Sequence, residues 1–156
     1  MRALLALLFA LPLVAQSFEA PQYYLGASAS YDYYGKTGIA ASTDVAVRMG
    51  QSKVYSFSSI DLPRSKLGTP NVRTGLATIL AQRGNFAVVV FGNAGIATVS
   101  TSLLGSVGAG AFIAYDLGSR LTKGTSHFYL TLGERILNIT SQSITPAFTV
   151  GLGLGF

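Results

Sequence analysis

Cysteine is absent from the 156-residue sequence, so no disulfide staples the fold and no thiol chemistry operates in it. Tryptophan is absent as well, and imidazole chemistry rests on one residue, His127. No metal-ligating cluster, phosphate loop or dinucleotide motif is found; the Gly-rich stretch from Gly105 to Gly110 is not followed by a helix, so it does not form a phosphate cradle. Charge is scarce too. Only 11% of residues are charged, against about 25% in an average soluble domain. The net charge is +5, but the basic residues stand singly, as at Lys36, Arg48, Lys53, Arg73 and Arg83. With no basic run or stripe, a nucleic-acid partner is excluded. Anionic lipid headgroups or lipopolysaccharide phosphates are the better match for scattered cations.

Against these absences stands an apolar chain, 49% hydrophobic with a mean hydropathy of +0.46. Its one long apolar run lies at the start. Met1-Arg2 is a short positive segment, Ala3 to Val14 is apolar apart from Pro12, and Ala15 offers a small residue for cleavage. This order predicts a secretory signal peptide over residues 1–16, with a mature domain over 17–156. Beyond it no run approaches the roughly 20 residues that a membrane helix needs. A chain this apolar must therefore distribute its apolar residues, and alternation along strands does so.

Period-2 alternation dominates from Tyr23 onward and predicts eight strands. Residues 23–33 place Leu25, Ala27, Ala29 and Tyr31 opposite Tyr24, Gly26, Ser28, Ser30 and Asp32. Residues 39–47 set Val45 and Val47 against Asp44 and Ala46. In residues 53–60, Tyr55 and Phe57 are assigned to the apolar face. Residues 72–81 oppose Val72, Leu76 and Leu80 to Arg73, Gly75 and Ala77. Residues 86–92 are apolar on both parities, which leaves their facing open. Residues 103–115, 126–134 and 147–156 complete the set, with loops expected at 61–71, 116–125 and 135–146 and a loop or strand extension at 93–102. Large apolar residues oppose Gly, Ser, Thr and Ala, which is the reverse of a lipocalin-type soluble barrel and suits lipid outside. The pattern predicts an all-β, transmembrane, antiparallel up-and-down barrel. With the N-terminus in the periplasm, Tyr23, Tyr55, Phe86, Tyr115, Phe128 and Phe156 fall near the periplasmic rim and Tyr31, Tyr33 and Tyr34 near the outer rim, as interfacial aromatics do.

The C-terminus alternates Phe148, Val150, Leu152, Leu154 and Phe156 with Thr149, Gly151, Gly153 and Gly155, and stops on the aromatic. This resembles the closing strand of bacterial outer-membrane proteins. The resemblance implies recognition by the barrel-assembly machinery and a place in a Gram-negative-type outer membrane. Size and strand number resemble the smallest such barrels, of the OmpA transmembrane-domain and OmpX type, without a family-specific motif. The glycines of the last strand are expected to face Gly26, Ser28 and Ser30 across the seam, leaving room for Tyr24, Phe112 and Tyr129.

Eight strands enclose a lumen just wide enough to be filled by side chains. Asp32, Asp44, Arg48, Arg73, His127 and Tyr129, with Arg135 just past the end of the seventh segment, are expected to point inward, as a network in which Asp32 or Asp44 pairs with Arg48 or Arg73. No catalytic, cofactor or metal residue is assigned. Small outer-membrane enzymes acting on lipid A, a deacylase and a palmitoyl transferase, share this class, but Ser126 and His127 are adjacent and face opposite sides of a strand, and Tyr129 stands where the deacylase places its serine. The expectation is a monomeric, non-enzymatic outer-membrane barrel with a structural, lipid-interacting or surface-interaction role. A narrow channel for ions or small solutes is the alternative, and a lipid A-modifying enzyme the third reading.

Overall fold

A computed structural model describes residues 17–32, 39–63, 70–99, 102–118, 126–139 and 145–156. The expected signal peptide, and Tyr33, Tyr34 and Lys36, lie outside them. Eight strands follow one another: β1 (Tyr23–Asp32), β2 (Ile39–Arg48), β3 (Val54–Pro63), β4 (Asn71–Arg83), β5 (Phe86–Val99), β6 (Ser102–Gly118), β7 (His127–Ile139) and β8 (Thr145–Gly155). Each pairs antiparallel with the next, and β1 pairs with β8, so the sheet closes and no edge is left open. Among the described residues no helix is long and apolar enough to cross a membrane.

The turns follow local chemistry. Gly50 and Gly84 adopt positive φ angles of 63° and 54° in the short connections after β2 and β4, a conformation that Cβ disfavours in other residues. A bulge between Asp116 and Gly118 shifts the β6–β7 register, and the Asp116 carboxylate accepts the Gly118 N–H at 2.7 Å.

The alternation settles into an apolar exterior and a polar or aromatic interior. Leu76, Leu80, Ile96, Leu103, Val107 and Leu152 are exposed outside, Leu103 by 68%. The interior holds Arg73, Asp61, Ser59, Asn71 and Tyr129, each at most 4% exposed. The open question of β5 is resolved: Ala87, Val89, Asn93 and Ala97 are buried inside, with Val88 and Ile96 outside.

Several expected boundaries are corrected. The loop placed at 61–71 is shorter, because β3 continues to Pro63 and β4 begins at Asn71. Of the two alternatives left open for residues 93–102, the strand extension holds for 93–99, which continue β5. Asp116 lies within β6, and Arg135 within β7. The facing of the third strand is reversed: Tyr55 and Phe57 are buried inside, 5% and 4% exposed, while Val54, Ser56, Ser58, Ile60 and Leu62 have the outer parity. Asp61 explains the reversal. It shares the parity of Tyr55 and Phe57, and a carboxylate turned into an apolar medium costs far more than two rings turned inward.

Candidate functional site

The lumen is built in two tiers. The tier farther from the chain termini is charged. Asp61 on β3 accepts from Arg73 on β4, from Arg135 Nη1 on β7 at 2.9 Å, and from Ser42 Oγ on β2 at 2.7 Å. Arg135 also donates to the hydroxyls of Ser30 and Ser42, and Ser30 meets Thr149 of β8 at 3.0 Å. One carboxylate and two guanidinium groups thus join strands on opposite walls. Asn93 donates to Ser59 at 3.3 Å, and Ser106 to Asn71 at 2.7 Å, which extends the network to β5 and β6. Gly108 makes space for it: a Cβ there would lie 2.5 Å from both Arg73 Nη1 and Asn93 Oδ1.

The tier nearer the termini is aromatic. Phe57 and Phe91 meet with ring centroids 5.0 Å apart, Phe91 and Phe112 at 6.1 Å, and Tyr24 and Tyr129 at 6.2 Å. Tyr24 lies over the small residues of the seam: Gly26 pairs with Gly153, and a Cβ at Gly26 would sit 2.5 Å from the Tyr24 hydroxyl.

Residues 17–22 cross the mouth below this tier as a strap. Phe18 inserts its ring against Tyr129, at 5.4 Å, while its N–H donates to the Gly84 carbonyl at 2.6 Å. Three successive strap carbonyls accept from side chains of the wall: Glu19 from Tyr129 Oη at 2.6 Å, Ala20 from Arg48 Nη1 at 3.2 Å, and Pro21 from Tyr55 Oη at 3.0 Å. The Glu19 carboxylate lies 3.2 Å from His127 Nε2, and the other ring nitrogen, Nδ1, faces Asp116 at 2.9 Å.

The residues read inward from sequence are distributed over this plan. Arg73 joins the charged tier, Tyr129 the aromatic tier, and His127 the mouth. Asp44 lines a cavity of about 40 Å³ between the tiers and accepts from Ser28 at 3.4 Å. Among the described residues it has no salt bridge, so the expected pairing of Asp44 with Arg73 or Arg48 is corrected: Asp61 takes Arg73. Arg48 turns to the rim, where it binds the Ser52 carbonyl at 2.9 Å and the strap. The backbone of Asp32 pairs with Ala147; its side chain is outside the description. Phe148, Val150, Leu152 and Leu154 run along β8 beside β1, and Phe156 closes the seam through two backbone bonds to Tyr23, at 2.8 and 3.0 Å.

Sequence reasoning missed Asp61, Asp116 and Glu19. Parity continued past the assumed strand ends would have found the first two, since Asp61 follows Tyr55, Phe57 and Ser59 at every second position. Glu19 lies in a segment with no periodicity and gave no such signal.

No protein-family model matches the sequence, and no curated protein matches it. Among solved structures, Neisserial surface protein A superposes with a TM-score of 0.61 at 8% identity, over 88% of this chain and 100% of that one. A structure reported as a de novo designed transmembrane β-barrel superposes with a TM-score of 0.52 at 11% identity, over 89% and 99% of the two chains. The fold is a transmembrane β-barrel. Its exposed leucines and valines are thereby explained, because their solvent is lipid. The buried charges follow as well: the lumen is the one place in such a barrel where they can be neutralised. The pairing of His127 with Asp116 matches two members of a hydrolytic triad. Its Nε2, where a nucleophilic hydroxyl would have to sit, faces the Glu19 carboxylate instead.

Proposed function

We propose that the chain is a non-enzymatic protein of a Gram-negative-type outer membrane, exported by a signal peptide over residues 1–16 and inserted with both termini toward the periplasm. It works through its outer surfaces, as a lipid-embedded scaffold, with its lumen closed. The observation that carries this reading is the filled interior: a charged tier, an aromatic tier and a strap follow one another along the axis. A channel needs a continuous wet path, and side chains obstruct it at all three levels. The exposed Lys53 and Arg83 on the rim beside the termini suit the phosphates of lipid headgroups. The apolar comb from Phe148 to Phe156 supports delivery by the barrel-assembly machinery.

The test is made on protein purified from outer membranes and reconstituted in planar bilayers. The expected result is a band that shifts on heating in a detergent gel, with no stepwise conductance. Discrete openings would establish the channel reading instead. A change in the mass spectrum of lipid A on deleting the gene would establish the enzymatic one.

A further inference from the structure

The strap occupies its mouth in the manner of a ligand. Its apolar end, Phe18, enters a cavity lined by Ala46, Phe57, Ala77, Ile79, Val89 and Phe112, with about 50 Å³ still empty beside the ring. Its polar side offers three consecutive carbonyl acceptors to the wall, while the N–H groups of Phe18 and Glu19 donate to the Gly84 carbonyl and, at 3.2 Å, to the Asp116 carboxylate. Tyr129, Arg48 and Tyr55 give three donors to three consecutive carbonyls, and one of those donors is a cation. With the strap withdrawn, the wall would present an apolar pocket and, at its entrance, two phenols and a guanidinium whose Nη1 has lost its acceptor while Nε keeps the Ser52 carbonyl.

The geometry points to a binding site at this mouth for a small anionic amphiphile, a medium-chain fatty acid, which the strap occupies in cis. The carboxylate would take the donors that Glu19, Ala20 and Pro21 now satisfy, and the alkyl chain would take the place of the Phe18 ring. The head must be an acceptor, because all three wall groups that meet the strap carbonyls are donating. It is anionic because Arg48 is among them. The tail must be apolar, because a dry apolar cavity takes hydrocarbon and rejects polar groups.

The strap carries its own latch. The two ring nitrogens of His127 lie 3.2 and 2.9 Å from carboxylate oxygens of Glu19 on the strap and Asp116 on β6, so the ring bridges strap and wall. Tyr129, the neighbour on the same strand, adds only a phenol to this group. The latch ties strap closure to His127, and Glu19→Gln removes one side of it. The site is separate from the reading of the whole barrel as an outer-membrane scaffold, since it is tested on purified protein.

The absence of tryptophan gives the assay its reporter. Phe18→Trp, folded in phosphatidylcholine nanodiscs and checked by its heat-dependent gel shift, places a single indole in the pocket. Sodium decanoate is expected to displace it, with a saturable red shift of emission. In the same nanodiscs, the carboxyl resonance of ¹³C-labelled decanoate should show a bound population distinct from lipid-partitioned decanoate. Phe18→Ala removes the internal competitor and should tighten decanoate binding at least about tenfold, because the affinity of a site freed of its occupant is no longer scaled down by the open fraction. Glu19→Gln should tighten it in the same direction. Arg48→Gln should weaken decanoate, and 1-decanol should bind the Phe18→Ala protein at least about tenfold more weakly than decanoate does, since it offers no charge for the guanidinium. An emission shift of Phe18→Trp that never saturates, or a bound ¹³C-decanoate population identical in Phe18→Ala and Arg48→Gln nanodiscs, would mean partition into lipid only and would overturn the site. Equal binding of decanol and decanoate would overturn the anionic head.

Discussion

At Asp61 one carboxylate serves two guanidinium groups and a hydroxyl, each from a different strand. Removing it leaves Arg73, 1% exposed at its side chain, and Arg135 without a carboxylate in ion-pair contact among the described residues. Breaking a buried pair by deleting one partner costs about 3–5 kcal/mol. Asp61→Ala is therefore expected to lower the urea unfolding midpoint by an amount of that order. Asp44→Ala deletes a carboxylate with one long hydrogen bond and should cost under about half as much. Denaturation followed by the loss of the unheated gel band measures both, and equal losses would mean that the two carboxylates share the cations. Gly108→Val is a second probe of the same tier. Its Cβ would meet Arg73 and Asn93 at 2.5 Å, so it should destabilise the barrel although it adds only apolar atoms. An unchanged midpoint would show that the guanidinium has room to move.

Among the described residues, β1 and β8 make the only strand pairing that is not between neighbours in the chain. Deleting Phe156 removes both backbone bonds to Tyr23 and the last ring of the apolar comb. Yield in the outer membrane should fall and periplasmic degradation rise; undiminished yield would argue against recognition of this strand end. Strand existence and most facings were legible from alternation alone, because lipid outside and small or polar residues inside obey the same period of 2 as the pleat. The errors fell at Asp61, Asp116 and Arg135. Polar residues usually announce loops in a water-soluble protein, whereas here the strands run on and the polar side chains turn into the lumen. The partner of Arg73 was not legible for a different reason. Parity says which face a residue takes, but the contact across the lumen depends on the stagger of strands around the barrel.

Taken whole, the molecule carries its polar groups on the axis and its hydrocarbon on the circumference, and its stability rests on closure. It should therefore migrate as a compact band until heated and lose that band in one step. Circular dichroism of the folded protein in detergent should show β-structure with little helix; a substantial helical signal would contradict the architecture. Closure also makes the position of the two chain ends arbitrary. Tyr23 and Phe156 are hydrogen-bonded neighbours at the same rim, so a short linker between the ends, with a new opening at the two-residue turn of Gly84 and Asn85, cuts nothing that the sheet depends on. Such a permuted chain would begin on Asn85 and end on Gly84, so both carbonyls of the turn keep their partners. It should refold in detergent much as the native order does, yet arrive poorly in the cell, because the terminal phenylalanine would then lie in the middle of the message. The ring has no first strand, and only its courier needs a last one.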